Sequence, residues 1–278
     1  MNILEFSLLV WLGSFLAGFL GSLTGLGGGV VIVPLLTSVF GVDIRYAIGA
    51  SLVSVIATSC GAASAYIKEG YTNLRIGMFL EVATIIGALV GALIAAFVSV
   101  KALTVVLAIV LLYSAYLSWQ PRSEHPNNDL SDPIVTHLRL NGAYPTADGM
   151  MSYQVHSAPA GFGLMVVAGV LSGLLGIGSG GFKVLAMDQA MRIPFKVSTT
   201  TSNFMIGVTA AASAGVYFAR GYIEPGLAMP VMLGVLPGAL LGAKVLVGAN
   251  TQILRIIFSL VLVVMALKMV YNSLTGGV

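Results

Sequence analysis

Long apolar runs, almost free of charge, recur along this chain of 278 residues. They lie at Ile3–Leu23, Ala47–Ile67, Ile76–Val98 and Ala102–Trp119, and again at Phe162–Leu175, Val197–Ala219, Leu227–Val247 and Ile253–Tyr271. About 20 such residues carry a helix across the hydrocarbon layer of a bilayer. Two shorter apolar segments, Val30–Phe40 and Phe182–Met191, follow glycine clusters. At about 1.5 Å per residue each covers roughly half a bilayer. Only 8% of the residues are charged, against about 25% in an ordinary soluble domain. A water-soluble globule would lack the polar groups to cover its surface. A bundle solvated by lipid does not need them, provided its backbone is paired within helices. The expectation is therefore all-α: a polytopic transmembrane helical bundle of eight long and two short membrane segments.

The net charge of +3 and the lack of a basic arm give nucleic acid no purchase. The single cysteine, Cys60, excludes an intrachain disulfide and reads as a small buried hydrophobe. The Met1–Leu20 segment carries Glu5 as its only charge and lacks the basic start of a signal peptide, so it reads as a retained first membrane helix. Residues 120–158 are the one long aqueous stretch. They hold Arg122, Glu124, Asp129, Asp132, Arg139 and Asp148, and all three histidines. The chain thus divides into a first membrane repeat (1–119), an extramembrane linker (120–158) and a second membrane repeat (159–278). Within the linker, Val135–Leu140 and Met151–Val155 flank turn-prone residues and read as a small hairpin. His125, His137 and His156 fit no compact metal motif and read as solvated, so no metal is expected.

The halves look like copies. One ungapped shift of 151 residues pairs Gly25, Gly27 and Gly29 with Gly176, Gly178 and Gly180. It also pairs Ser51 with Ser202, Thr58 with Thr209, Tyr66 with Tyr217, and Gly87-Ala88-Leu89 with Gly238-Ala239-Leu240. If the short segments cross the membrane, each half has five passes and the repeats are inverted; if they are re-entrant, the repeats are parallel. Five passes gather Lys68, Arg75, Arg122, Arg139, Arg192, Lys196 and Arg255 on one side, leaving Arg45, Lys101, Arg220 and Lys268 opposite. Basic residues favour cytoplasmic loops, which leans towards inverted tandem repeats with both termini outside.

The chemistry-bearing candidates cluster at the glycine breaks, Gly25-Leu26-Gly27-Gly28-Gly29 and Gly176-Ile177-Gly178-Ser179-Gly180-Gly181. Each ends a long helix and opens a short one. Irregular backbone at membrane depth is tolerated only where protein buries it or a watery cavity meets it. The start of a half-helix presents bare N–H groups and a positive dipole end. Two breaks at matching places in a repeat point to a transport site, with Gly27, Gly28, Gly29, Gly178, Ser179 and Gly180 offering backbone to an anion. The competing reading is tight helix packing. Neither break has the Gly-Lys-Ser/Thr of a phosphate-binding loop.

Lys183 follows the second break. It either offsets an anion's charge or snorkels to an interface. In Ser198-Thr199-Thr200-Thr201-Ser202-Asn203, the residues Thr201, Ser202 and Asn203 can donate to oxyanions, while Ser198 or Thr199 can serve as a helix cap. Glu81 is either a proton-coupling carboxylate or a headgroup neighbour, and its position five residues into its run favours the second. Lys244 and Asp188 read as interfacial. Gly87-x-x-x-Gly91 and Gly238-x-x-x-Gly242 read as helix-contact faces. No histidine lies within the apolar runs to activate a serine, so no catalytic residues are assigned and an enzyme is not expected.

At these residues the sequence resembles the sulfite exporter TauE/SafE family. The carriers are Gly21-Ser22-Leu23-Thr24-Gly25-Leu26-Gly27-Gly28-Gly29 with Pro34, then Leu171-Ser172-Gly173-Leu174-Leu175-Gly176-Ile177-Gly178-Ser179-Gly180-Gly181-Phe182-Lys183-Val184, Thr200–Thr209 and Ala219-Arg220-Gly221-Tyr222-Ile223. The resemblance covers nearly the whole chain and departs at Ser179, where glycine is expected. It implies two repeated halves, no cofactor, a place in the cytoplasmic (inner) membrane, and secondary transport, usually export, of a small anion such as sulfite or an organosulfonate. An anion channel and, more remotely, a membrane enzyme acting on a sulfur compound are the rival readings. A homodimer is compatible with the sequence.

Overall fold

A computed structural model describes residues 3–24, 27–68, 70–119, 133–146, 149–248, 259–260 and 262–271. The chain is mostly helical. The first half runs α1 (Ile3–Thr24), α2 (Gly29–Ser38), α3 (Ile44–Lys68), α4 (Leu74–Ile94) and α5 (Val100–Trp119). The second runs α7 (Ala158–Leu175), α8 (Gly180–Leu185), α9 (Phe195–Ala219), α10 (Pro225–Gly248) and α11 (Leu262–Tyr271). Between them lie α6 (Pro133–His137) and the strands β1 (Gly142–Thr146) and β2 (Gly149–Tyr153).

Five helices among the described residues are both long and apolar enough to cross a membrane: α1, α3, α4, α7 and α10. The expected eight long spans are not all found among the described residues. Helix α9 has the length, but Ser198–Asn203 dilutes its apolarity. Helix α11 is described only from Leu262, and the start of its predicted run, 253–258, lies outside the described residues, as does His125. The outer faces are lipid-like. Helix α4 turns Met78, Val82, Ile86 and Leu93 outward and buries Gly87, Ala88 and Gly91.

The helices pair across the halves. The most extensive contacts are α1 with α10 and α4 with α7, around a central α3–α9 pair. Small residues let the crossing backbones approach. A Cβ added to Gly87 would stand 2.2 Å from the Val166 carbonyl oxygen, and one on Gly238 would stand 2.1 Å from that of Phe15. Likewise Gly169 abuts the Thr84 carbonyl at 2.3 Å and Gly18 that of Val235 at 2.4 Å. Each pair of contacts is the other shifted by 151 residues, so the offset seen in sequence reappears as matched packing.

The hairpin uses Met151–Tyr153 of its predicted second strand but takes its first strand from Gly142–Thr146 rather than Val135–Leu140. Strand β1 pairs antiparallel with β2, Gly142 opposite Tyr153, whereas Val135 and its neighbours form α6, which opens at Pro133 as a helix start allows. The described part of the linker packs against the helices. Val135, Leu140, Tyr144 and Val155 share a buried cluster with Ile76, Leu80, Met187 and Met191. The Asn73 amide donates to the Tyr153 hydroxyl (2.7 Å) and the Leu140 carbonyl (3.1 Å), while its oxygen caps α4 at the Ile76 N–H. Burial pushes the Tyr153 phenol up to about 12, against the lowering pull of Asn73. His137 is exposed as expected, but both ring nitrogens of His156 are enclosed without a partner.

Candidate functional site

The second glycine break is a sharp reversal. Gly176 ends α7 and Ser179 starts α8, both with left-handed backbone, and Gly178 has φ +73°. Gly27 in the first break has φ +77°. Both glycines lie against Ile206 of α9, at Cβ distances of 3.4 Å for Gly27 and 2.6 Å for Gly178. A side chain on either would meet strain and a neighbour together. Gly28 caps α2, and Val31 and Ile32 donate back to its carbonyl at 3.1 Å. Gly29 packs against Val55, Ser51 and the Gly176 carbonyl. The Ser51 hydroxyl donates to that carbonyl at 2.8 Å, so the two breaks meet across α3. Gly25 and Leu26 lie outside the described residues.

Helix α8 passes into a π-helical turn, Ala186–Ala190, that buries Asp188. Its Lys183 is 0% exposed. This side chain does not snorkel. It donates to Thr209 Oγ1 on α9 and lies 3.8 Å from Glu81 Oε2 on α4. The Thr209 hydroxyl sends its one proton to Glu81 Oε1 at 2.6 Å, ahead of the Met205 carbonyl at 3.0 Å and the Thr84 hydroxyl at 3.3 Å. Thr84 donates to the Glu81 carbonyl at 3.0 Å. Glu81, expected beside the headgroups, is 5% exposed and is the counterion of Lys183. Three helices thus bring together an ammonium, two hydroxyls and a carboxylate where each charge compensates the other.

Several buried polar atoms have no hydrogen-bond partner among the described residues: Ser179 Oγ, Asn203 Nδ2, Thr199 Oγ1 and Glu81 Oε2, the last facing the Lys183 ammonium at 3.8 Å. Buried polar groups are nearly always hydrogen-bonded, so such atoms ask for a reason.

A family model described as "Sulfite exporter TauE/SafE" matches residues 10–269. The chain belongs to the sulfite exporter TauE/SafE family. It is 29% identical over 278 residues to a probable membrane transporter protein, YunE, of Bacillus subtilis, covering 98% of this chain and 99% of that one. It is 26% identical to a second from the same organism, YdhB, over 85% of this chain and 89% of that one. A third, MJ0441 of Methanocaldococcus jannaschii, is 25% identical over 92% of each. No solved structure matches. The protein is therefore an integral membrane transporter of the TauE/SafE family.

Within this TauE/SafE chain the predicted oxyanion donors point different ways. The Ser202 hydroxyl donates to the Gly180 carbonyl at 3.3 Å, at the mouth of the second break. Thr201 instead accepts from the Asn73 N–H at 3.1 Å, facing the linker side. Asn203 gives its backbone carbonyl to the Ser59 hydroxyl and keeps its amide nitrogen unpartnered. Ser198 and Thr199 are not caps, because α9 begins earlier, at Phe195, and Ser198 donates to the Ile193 carbonyl. Cys60 is exposed on α3 rather than buried, and Lys244 is exposed on α10. Sequence reasoning missed Thr84 and Thr209 as site residues. The one available signal was Glu81 and Thr84 three apart, hence on one helix face.

Proposed function

We propose that this TauE/SafE protein is a secondary transporter or facilitator that exports a small anion, sulfite or an organosulfonate, across the cytoplasmic membrane. The observation that carries the reading is the meeting of two matched glycine breaks beside buried, unpartnered donors. Ser179 Oγ and Asn203 Nδ2 have no hydrogen-bond partner among the described residues, and an oxyanion supplies the acceptors they lack. Gly27, Gly28, Gly29, Gly178 and Gly180 bring backbone close, Ser202 and Thr201 add hydroxyls, and Lys183 offsets charge. Substrate sits between the halves, which are read as inverted repeats of five passes each, with eight long and two short segments. No catalytic step is assigned. An anion channel would use the same breaks without alternating access.

The test is flux of sulfite and of ethanesulfonate in liposomes holding the purified protein, beside Asn203→Ala and Lys183→Ala. Flux above empty liposomes, lost in both variants, is expected. Flux that survives both sinks this site; absence of flux for either anion sinks the substrate class. Unitary currents in a planar bilayer would convert the carrier to a channel.

A further inference from the structure

Lys183 is already neutralised. Its ammonium faces Glu81 and Thr209 in a pocket of three helices, so an anion that needs its charge must compete with the Glu81 carboxylate. The 151-residue shift sharpens the point. Thr209 matches Thr58, which is buried and gives its proton to the carbonyl four residues earlier, 2.9 Å to Ser54, where Thr209 gives its own to Glu81. Lys183, Glu81 and Thr84, however, match Ile32, Met232 and Val235. One half's scaffold thus carries an ion pair where the other carries apolar residues. Packing alone does not require the charges, since the mirror position does without them. A buried ion pair is weak evidence for stability and costly to desolvate; inside a membrane segment such a pair points to function.

Resting on the transport reading above, we propose that Glu81 is the proton carrier of this transporter, so that one proton travels with each monovalent anion. With Glu81 ionised, Lys183 is satisfied and the anion is excluded. When the carboxylate takes a proton from the water on the entry side, at the Oε2 that no hydrogen bond occupies, Lys183 stays an ammonium and loses its counterion. The anion then becomes that counterion, with the Ser179 and Asn203 donors on its oxygens. On the far side the anion leaves, the proton leaves Glu81, and the Glu81–Lys183 pair re-forms. Charge is conserved at each stage: the loaded site has gained one proton and one anion. Linkage makes the effect reciprocal, so the proton promotes anion binding as much as the anion promotes proton binding.

The other charged or titratable groups on the packed elements have places of their own. Arg220 donates to the Ala92 and Leu93 carbonyls at the far end of α4, and His156 lies in the linker with its backbone N–H on the Met191 carbonyl. Helix α7 carries none. Arg75 is exposed at the start of α4, hydrogen-bonded to the Arg139 carbonyl. On α9, Lys196 lies over the Tyr71 ring and Tyr217 donates to Gly173 and Leu174 carbonyls. Asp188 is buried in the π-turn after α8 and has interactions of its own.

The test uses ethanesulfonate, a strong acid that carries no proton itself, unlike sulfite. Liposomes hold the full-length protein and a pH-sensitive dye in the lumen. Inward ethanesulfonate should acidify the lumen with one proton per anion, at a rate indifferent to a potassium–valinomycin shunt. Its apparent affinity should weaken as pH rises, by up to about tenfold per pH unit if one proton binds with each anion. Glu81→Gln should drop acidification to the level of empty liposomes and make the remaining anion flux depend on the shunt. Glu81→Asp, which keeps a carboxyl, should keep acidification. Uptake without acidification, acidification in the opposite sense, or unchanged coupling in Glu81→Gln overturns the proposal while leaving transport standing. The wild-type arm decides this even if Glu81→Gln fails to fold. Absence of uptake by the wild type instead removes the transport reading itself.

Discussion

The Ser51 hydroxyl donates to the Gly176 carbonyl across 2.8 Å, joining residues 125 apart in sequence. It fastens the end of α7, in the second half, to α3 of the first, at the point where both glycine breaks converge. Ser51→Ala would leave that carbonyl buried and unpaired, a loss of about 1–3 kcal/mol. Thermal unfolding of the purified protein should shift down accordingly. Transport should fall with it, because the break is the part left unsupported.

The Glu81–Lys183 pair gives a sharper stability prediction. Lys183→Met or Glu81→Met alone strands a buried charge and should cost about 3–5 kcal/mol. The double substitution Glu81→Met/Lys183→Ile copies the mirror-related Met232 and Ile32 and should recover most of that. A double-mutant cycle read by thermal unfolding checks it. Additive losses would show that the two charges do not rely on each other.

Close backbone crossings make a third. Gly87→Ala and Gly238→Ala each drive a methyl into a carbonyl oxygen within 2.2 Å and should each cost about 1–3 kcal/mol. Gly215→Ala in α9 meets nothing within 4 Å and should be neutral or gain up to about 1 kcal/mol from helix propensity. Comparing the three by thermal unfolding separates packing from a general intolerance of substitution.

The linker's attachment should depend on pH. Tyr153 has an ordinary value of 10.0 and is pushed up to about 12 in the fold. For an acid raised in this way the neutral phenol is favoured, so its contribution is full below about 10 and is lost as pH rises through about 12. Protease cleavage of the hairpin should accelerate across that window. Tyr153→Phe should remove the dependence, and Asn73→Ala should raise cleavage at every pH by uncapping α4 as well.

Helix positions were legible because a bilayer demands long apolar runs, and the breaks because glycine clusters interrupt them at a common offset. Glu81 was misplaced because counting residues inward from one end of a run sees only one helix. The hydroxyl and ammonium that hold it inside come from α9 and α8, Thr209 being 128 residues away. Val135 to Leu140 failed as a strand for a similar reason. Short apolar segments fit helix or strand by period alone, and the Met187–Met191 surface decides the matter. Cys60 followed residue statistics drawn from aqueous cores, whereas lipid accepts a thiol on the outer face.

The crossing of α1 with α10 and of α4 with α7 has a consequence for biosynthesis. When the ribosome has delivered the first five helices, Gly18 of α1 and Gly87 and Gly91 of α4 still await Val235, Val166 and Val170. The nascent half is an unfinished surface held in the bilayer until its complement is inserted. A chain cut in the linker and made as two pieces should therefore accumulate only when both are expressed together, each piece acting as the other's chaperone.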